Sequence, residues 1–110
     1  MPYSPATVSE FLADVRRSID ANLFFPVNRG KNISTLTSLG ISWSHAKAEI
    51  YALSDSDYLS GPDVDRDRPA SDYFWMFKKT INGQLIYIKI KVLYQTNQSV
   101  QVVSFHIDWT

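Results

Sequence analysis

The chain has 110 residues, 45% of them hydrophobic and 14% aromatic, with 11 basic and 11 acidic side chains and no cysteine. That length suits one domain with one core and needs no staples, and the absence of cysteine excludes disulfides and thiol chemistry. No run approaches twenty apolar residues, which excludes a transmembrane helix, and zero net charge argues against a general nucleic-acid binder.

Thr7-Val8-Ser9-Glu10 has capping-box spacing, and Val8, Phe11, Leu12, Val15 and Ile19 follow helical periodicity, so residues 8–21 read as an amphipathic helix. The Met-Pro-Tyr-Ser-Pro start ahead of it lacks the basic and apolar blocks of a secretory signal, so a cytoplasmic location is expected. Leu23 to Val27 reads as an apolar connector with an edge strand after Pro26, and Asn28 to Asn32 as a loop. A short helical segment through Ile33, Leu36 and Leu39 should close at Gly40, and Ser42 or Ser44 should cap a third helix carrying Trp43, Ala46, Ile50 and Leu53. Asp55 to Ala70, with Gly61-Pro62 and Pro69, reads as a long mobile loop.

The remainder predicts an antiparallel meander of three strands over residues 73–79, 84–94 and 100–108. Asn82-Gly83 is a strong hairpin signal that pairs Lys78 with Tyr87, Met76 with Lys89, Phe77 with Ile88 and Trp75 with Ile90. A turn centred on Asn97-Gln98 would pair Tyr87 with Asp108, Lys89 with His106 and Lys91 with Ser104. Alternation then gives Ile86, Ile88, Ile90, Val103, Phe105 and Ile107 to one face. Tyr87, Lys89, Lys91, Ser104 and His106 fall on the other. The fold class expected is α+β, with N-terminal helices on the apolar face of the meander.

Charge is unevenly spread. Residues 1–65 carry −3, residues 66–91 carry +4 and residues 92–110 carry −1, which places a basic region on the sheet. Such a region suits a phosphate-bearing ligand, while sheet lysines equally serve to discourage edge-to-edge aggregation. Asp63-Val64-Asp65-Arg66-Asp67-Arg68 imitates the start of a calcium loop, but Arg68 stands where glycine is needed and Phe74 where the bidentate glutamate is needed. His45 and His106 lack metal-ligand spacing, and there is no phosphate-cradling glycine loop, so neither a metal nor a cofactor is expected.

The polar sheet face remains. Cleavage of RNA without a metal needs a base for the 2′-hydroxyl proton, an acid for the leaving 5′-oxygen, and cations on the phosphate. Histidine exchanges protons near neutral pH. His106 is therefore the candidate acid or base, Tyr87 its proton-transfer partner, and Lys89 a cation at the reacting phosphate. Lys78, Lys91, Arg66 and Arg68 are the candidate RNA-binding cations. Taken singly, Tyr87, His106 and the lysines are as well explained as solvent-facing sheet residues, and Arg66 and Arg68 as part of a solvated loop.

Leu39-Gly40-Ile41-Ser42-Trp43 through Ile50-Tyr51-Ala52-Leu53-Ser54-Asp55-Ser56-Asp57-Tyr58 resembles the central segment of the motility quorum-sensing regulator (MqsR) toxin family. Ile86-Tyr87-Ile88-Lys89-Ile90 and Val102-Val103-Ser104-Phe105-His106 are similar to its last two strands. The resemblance covers roughly residues 30–108 in short motifs. It implies a single RelE-like toxin domain over residues 1–110, acting as an mRNA endoribonuclease, free or ribosome-associated, and neutralised by a cognate antitoxin protein. By position Tyr87 matches the family's active-site tyrosine and Lys89 the lysine two residues on, while His106 stands where the family has a lysine. Ser60 replaces a loop lysine and Met76 a glutamine. Two rival readings stay open. One is a non-catalytic protein-binding module on the same fold, toxin-like or phage-derived. The other is a small-ligand-binding α+β protein, in which another element should cover the Tyr87–His106 face.

Overall fold

A computed structural model describes residues 3–108, so Met1 and Pro2 of the N-terminal motif lie outside the described residues. The fold is α+β, with three helices and a five-stranded mixed sheet. In chain order the elements are α1 (Val8–Asp20), β1 (Phe24–Pro26), α2 (Gly30–Leu39), α3 (Trp43–Tyr51), a short 3-10 turn (Asp55–Asp57), β2 (Tyr58–Asp63), β3 (Phe74–Ile81), β4 (Gln84–Val92) and β5 (Val100–Ile107). Among the described residues no helix is long and apolar enough to cross a membrane.

Helices α1 and α3 begin where capping chemistry places them. The Thr7 hydroxyl accepts from the Glu10 amide at 3.1 Å, and the Ser42 hydroxyl accepts from the His45 amide at 3.4 Å, each satisfying a donor the first turn leaves unpaired. Gly40 ends α2 in the left-handed conformation at φ 69°, the backbone state a Cβ disfavours.

The sheet order is β1-β5-β4-β3-β2, with β1 parallel to β5 and all other pairs antiparallel. The meander expected from sequence is thus the centre of a wider sheet. β1 precedes Val27 rather than starting after Pro26, since Phe24, Phe25 and Pro26 lie beside Val100, Gln101 and Val102. Six residues expected to be loop form β2, an irregular edge strand whose register against β3 shifts twice. Gly61 and Pro62 read as breakers, yet Gly61 fits an edge where the strand crosses close to β3. A Cβ there would stand 2.8 Å from the Phe74 carbonyl oxygen, and its φ is +115°.

The β3–β4 hairpin has the expected register, with Trp75 opposite Ile90, Phe77 opposite Ile88 and Lys78 opposite Tyr87. The β4–β5 register differs from expectation. Tyr87 lies opposite His106, not Asp108; Lys89 lies opposite Ser104, not His106; Lys91 lies opposite Gln101, not Ser104. Two features cause this. The connecting loop is wider than a tight turn, closing where the Leu93 amide donates to the Ser99 carbonyl at 2.8 Å. α1 holds that loop through Ser18, whose hydroxyl donates to the Gln98 carbonyl at 2.5 Å, and through Asp14, which accepts from the Tyr94 hydroxyl at 2.5 Å. The second feature is a bulge between the Lys89–Ser104 and Ile90–Val102 pairs, which inserts Val103 as an extra residue. Val102, not Val103, is therefore the core residue of β5.

Asn32, fully buried, supports the bulge. Its amide donates to the carbonyls of Val27 (2.9 Å) and Val103 (3.1 Å), and its carbonyl accepts from the Phe105 amide at 2.9 Å. Thr35 accepts from the Ile107 amide at 3.2 Å. Beyond β1, helix α2 thus supplies side-chain partners for β5 backbone groups that a neighbouring strand would otherwise satisfy.

One face of the sheet carries the core. Phe11, Leu12 and Val15 of α1, Leu36 of α2, and Ala46 and Ile50 of α3 join Trp75, Phe77, Ile86, Ile88, Ile90, Val92, Val102 and Phe105. Phe11 stacks on Trp75 with ring centroids 4.7 Å apart. With the helices on that side, the alternate residues of β3, β4 and β5 face away from them.

Candidate functional site

Side by side across β3, β4 and β5 on the open face stand Lys78, Tyr87 and His106. The next row, two residues along, holds Met76, Lys89 and Ser104. The bulge is what makes Tyr87 and His106 direct cross-strand partners, with ring centroids 5.4 Å apart and planes tilted by 31°. The His106 Nδ1 lies 3.0 Å from the Ile107 carbonyl oxygen. In the neutral ring Nδ1–H donates there, which leaves Nε2 as the unprotonated nitrogen able to accept a proton.

Burial, first, and the nearby Asp63 carboxylate raise the Tyr87 phenol above its ordinary value; Asp108 adds to this and Lys78 opposes it. Tyr87 therefore remains a protonated donor across the physiological range. It can give a hydrogen bond or a proton, but it cannot serve as a resident base.

Beside this pair opens a cavity of about 880 Å³ between the sheet and the segment following β2. Tyr87, Phe74, Met76, Gln101 and Val103 form its sheet wall, and Asp63 to Arg68 wall the other side. His106 is not part of the wall; it adjoins the cavity through Tyr87. The long loop expected from Asp55 to Ala70 is thus a turn, a strand and then a segment folded over the open face.

Of the expected phosphate-holding cations, two are already engaged. Lys78 pairs with Asp108 at 2.7 Å, and Lys91 pairs with Asp65 at 3.3 Å, its side chain only 6% exposed. Both expected RNA-binding lysines therefore stand in ion pairs within the fold, and a lysine already neutralised offers little net charge to a phosphate. Burial works to raise the Asp65 carboxyl, but the Lys91 ammonium and the Asp67 and Arg68 amides outweigh it and hold the group below the ordinary aspartate value. Lys91 also lies over the Phe74 ring at 4.7 Å, and Lys89 lies over the same ring at 4.3 Å.

Lys89, Arg66 and Arg68 line the cavity without an ion pair among the described residues. Sequence reasoning missed a fourth such cation, Arg29. It precedes α2, lines the cavity, and places its guanidinium 3.4 Å from the Ser104 hydroxyl. Its position 75 residues from Ser104 in the chain left no local signal. The two departures from the family pattern, Ser60 and Met76, are cross-strand neighbours, and Met76 in turn adjoins Lys89.

Among the described residues no group of three or more His, Asp or Glu side chains could hold a metal ion. No family model matches the chain, and no curated protein matches it significantly, so the functional reading rests on this geometry and on the resemblance in sequence.

Proposed function

We propose that the protein is an endoribonuclease that cleaves mRNA at the open sheet face, the toxin half of a toxin–antitoxin pair on a RelE-like fold. The observation that carries the reading is the Tyr87–His106 pair beside a cavity lined by Lys89, Arg66 and Arg68, none of them ion-paired among the described residues.

The chemistry this supports balances without an outside reactant. His106 Nε2 takes the proton of the ribose 2′-hydroxyl, and the 2′-oxygen attacks the adjacent phosphorus. The bond to the 5′-oxygen breaks, leaving a 2′,3′-cyclic phosphate. Tyr87 gives its proton to the departing oxygen, a far stronger base than a phenolate, so the raised phenol still serves. Lys89 and a loop arginine stabilise charge on the non-bridging oxygens as it builds. Bases of a single strand can stack on exposed aromatic faces beside such cations.

The rival reading of a small-ligand protein draws on one specific observation: the Asp63–Arg68 segment closes over part of the face. The test is induction of the chain in a bacterium, together with cleavage of a mixed-sequence RNA by the purified protein in excess chelator. Growth arrest and cleavage are expected. A chain that neither arrests growth nor cuts RNA is a binding module instead.

A further inference from the structure

We infer that Arg29 and Ser104 form a second phosphate subsite, next to the Lys89 that serves the scissile phosphate. It takes the backbone phosphate next to the scissile one in a single-stranded RNA. The inference rests on the proposed reading of the Tyr87–His106 pair and adds to it a contact for the neighbouring phosphate.

Ser104 is opposite Lys89 in the sheet register, and both stand one residue pair along the strands from Tyr87 and His106. Two residues of strand cover about 6.6 Å, comparable with the step between successive phosphates of an extended polynucleotide. A strand whose reacting phosphate sits over Tyr87 and His106 can therefore place its neighbour beside Ser104 and Arg29.

Three features of that position call for an anion. The Arg29 guanidinium reaches the Ser104 oxygen at 3.4 Å, and the remaining donors of its fork have no hydrogen-bonding partner among the described residues. Ser104 is 4% exposed, and its hydroxyl's one hydrogen bond among the described residues is the one it accepts from Arg29. Its own proton is left to donate. Lys89 adds a second positive charge that no carboxylate neutralises among the described residues. The free N–H donors of the Arg29 fork, beside the Ser104 hydroxyl, are a donor set matched to phosphate oxygens. The bulge creates this arrangement, because two residues of β5, Val103 and Ser104, turn toward the open face where regular alternation allows one.

The direct test compares a dinucleoside monophosphate, which has only the scissile phosphate, with trinucleoside diphosphates extended at the 5′ or the 3′ side. For one of the extended substrates Arg29→Ala should raise KM about tenfold with kcat unchanged, the loss of one charge-assisted contact. Cleavage of the dinucleoside monophosphate should not change. Arg29→Lys should recover part of the loss, and Ser104→Ala should show a smaller version of it. Arg29 is exposed and makes no side-chain cap to α2, so the variant should keep the thermal midpoint of the wild type. Equal loss on both substrate lengths, or loss on neither, overturns the subsite.

A second arm separates this inference from the catalytic reading. Binding of a fluorescein-labelled, uncleavable oligodeoxyribonucleotide is followed as salt is raised. Arg29→Ala should lower the slope of log K against log salt by about 0.7, the value for one single-strand phosphate contact. If the wild type cuts no RNA but this slope changes, the catalytic reading fails and the subsite stands. An unchanged slope, or a wild type that binds no oligonucleotide, overturns the subsite whatever the cleavage result.

Discussion

On the helix side of β4, Ile86, Ile88 and Ile90 have no solvent exposure at all, while Tyr87 and Lys89 between them remain half-buried on the other side. The residues are neighbours in the chain, yet they answer to different physics. The helix side gains from every apolar atom it removes from water. The open side keeps a phenol, an imidazole and six cations, Lys78, Lys89, Lys91, Arg29, Arg66 and Arg68, of which only Lys78 and Lys91 are held in ion pairs among the described residues. Stability and the proposed chemistry therefore fall on alternate residues of this sheet, and that separation can be tested substitution by substitution.

The largest effect should fall on the helix side. Phe77 is fully buried and lies 6.2 Å from Phe11 in a stacked arrangement, so Phe77→Ala should cost about 3–5 kcal/mol in denaturant unfolding. A loss far smaller than this would mean that the two sides are not divided as described.

An intermediate effect is expected at the element that shapes both sides. Asn32→Ala would orphan the Phe105 amide and the Val103 carbonyl around the bulge, at about 1–3 kcal/mol for each buried group left unpaired. Because the bulge sets Tyr87 against His106, RNA cleavage should fall along with stability. Cleavage that survives intact would show that the site does not depend on this register.

The smallest effect is local and set by pH. The Asp65 carboxyl lies below its ordinary value, so its pairing with Lys91 favours the folded arrangement at and above the ordinary aspartate range. That contribution is lost as pH falls through the lowered value. Amides of Asp67 and Arg68, which donate to the Asp65 carboxylate at 3.0 and 3.2 Å, should exchange slowly at neutral pH. Their protection should drop on acidification before the core amides of β4 change. Simultaneous loss in both regions would mean that the segment is not held by this pair.

Local chemistry was legible in the sequence and long-range pairing was not. The Thr7 cap, the Gly40 stop and the Asn82-Gly83 hairpin each rest on a few adjacent residues, and the structure places them as the spacing implies. The β4–β5 register depends on α1 holding the Tyr94–Gln98 loop and on Asn32 stabilising a bulge, contacts 73 to 80 residues apart. No alternation pattern carries that information. β2 was hidden by its own glycine and proline, which an irregular edge tolerates. For the site, Tyr87, Lys89 and His106 share the open face as alternation implies. The partners that neutralise Lys78 and Lys91, and the arrival of Arg29, come from tertiary contacts alone.

The central claim is that the open face does chemistry and the helix side supplies stability. The most direct measurement is RNA cleavage and thermal midpoint for the His106→Ala, Tyr87→Phe double variant beside the wild type. Removal of the acid–base groups should lower the cleavage rate by about 10²–10⁴-fold while the midpoint stays close to that of the wild type. Undiminished cleavage in the double variant would contradict the account.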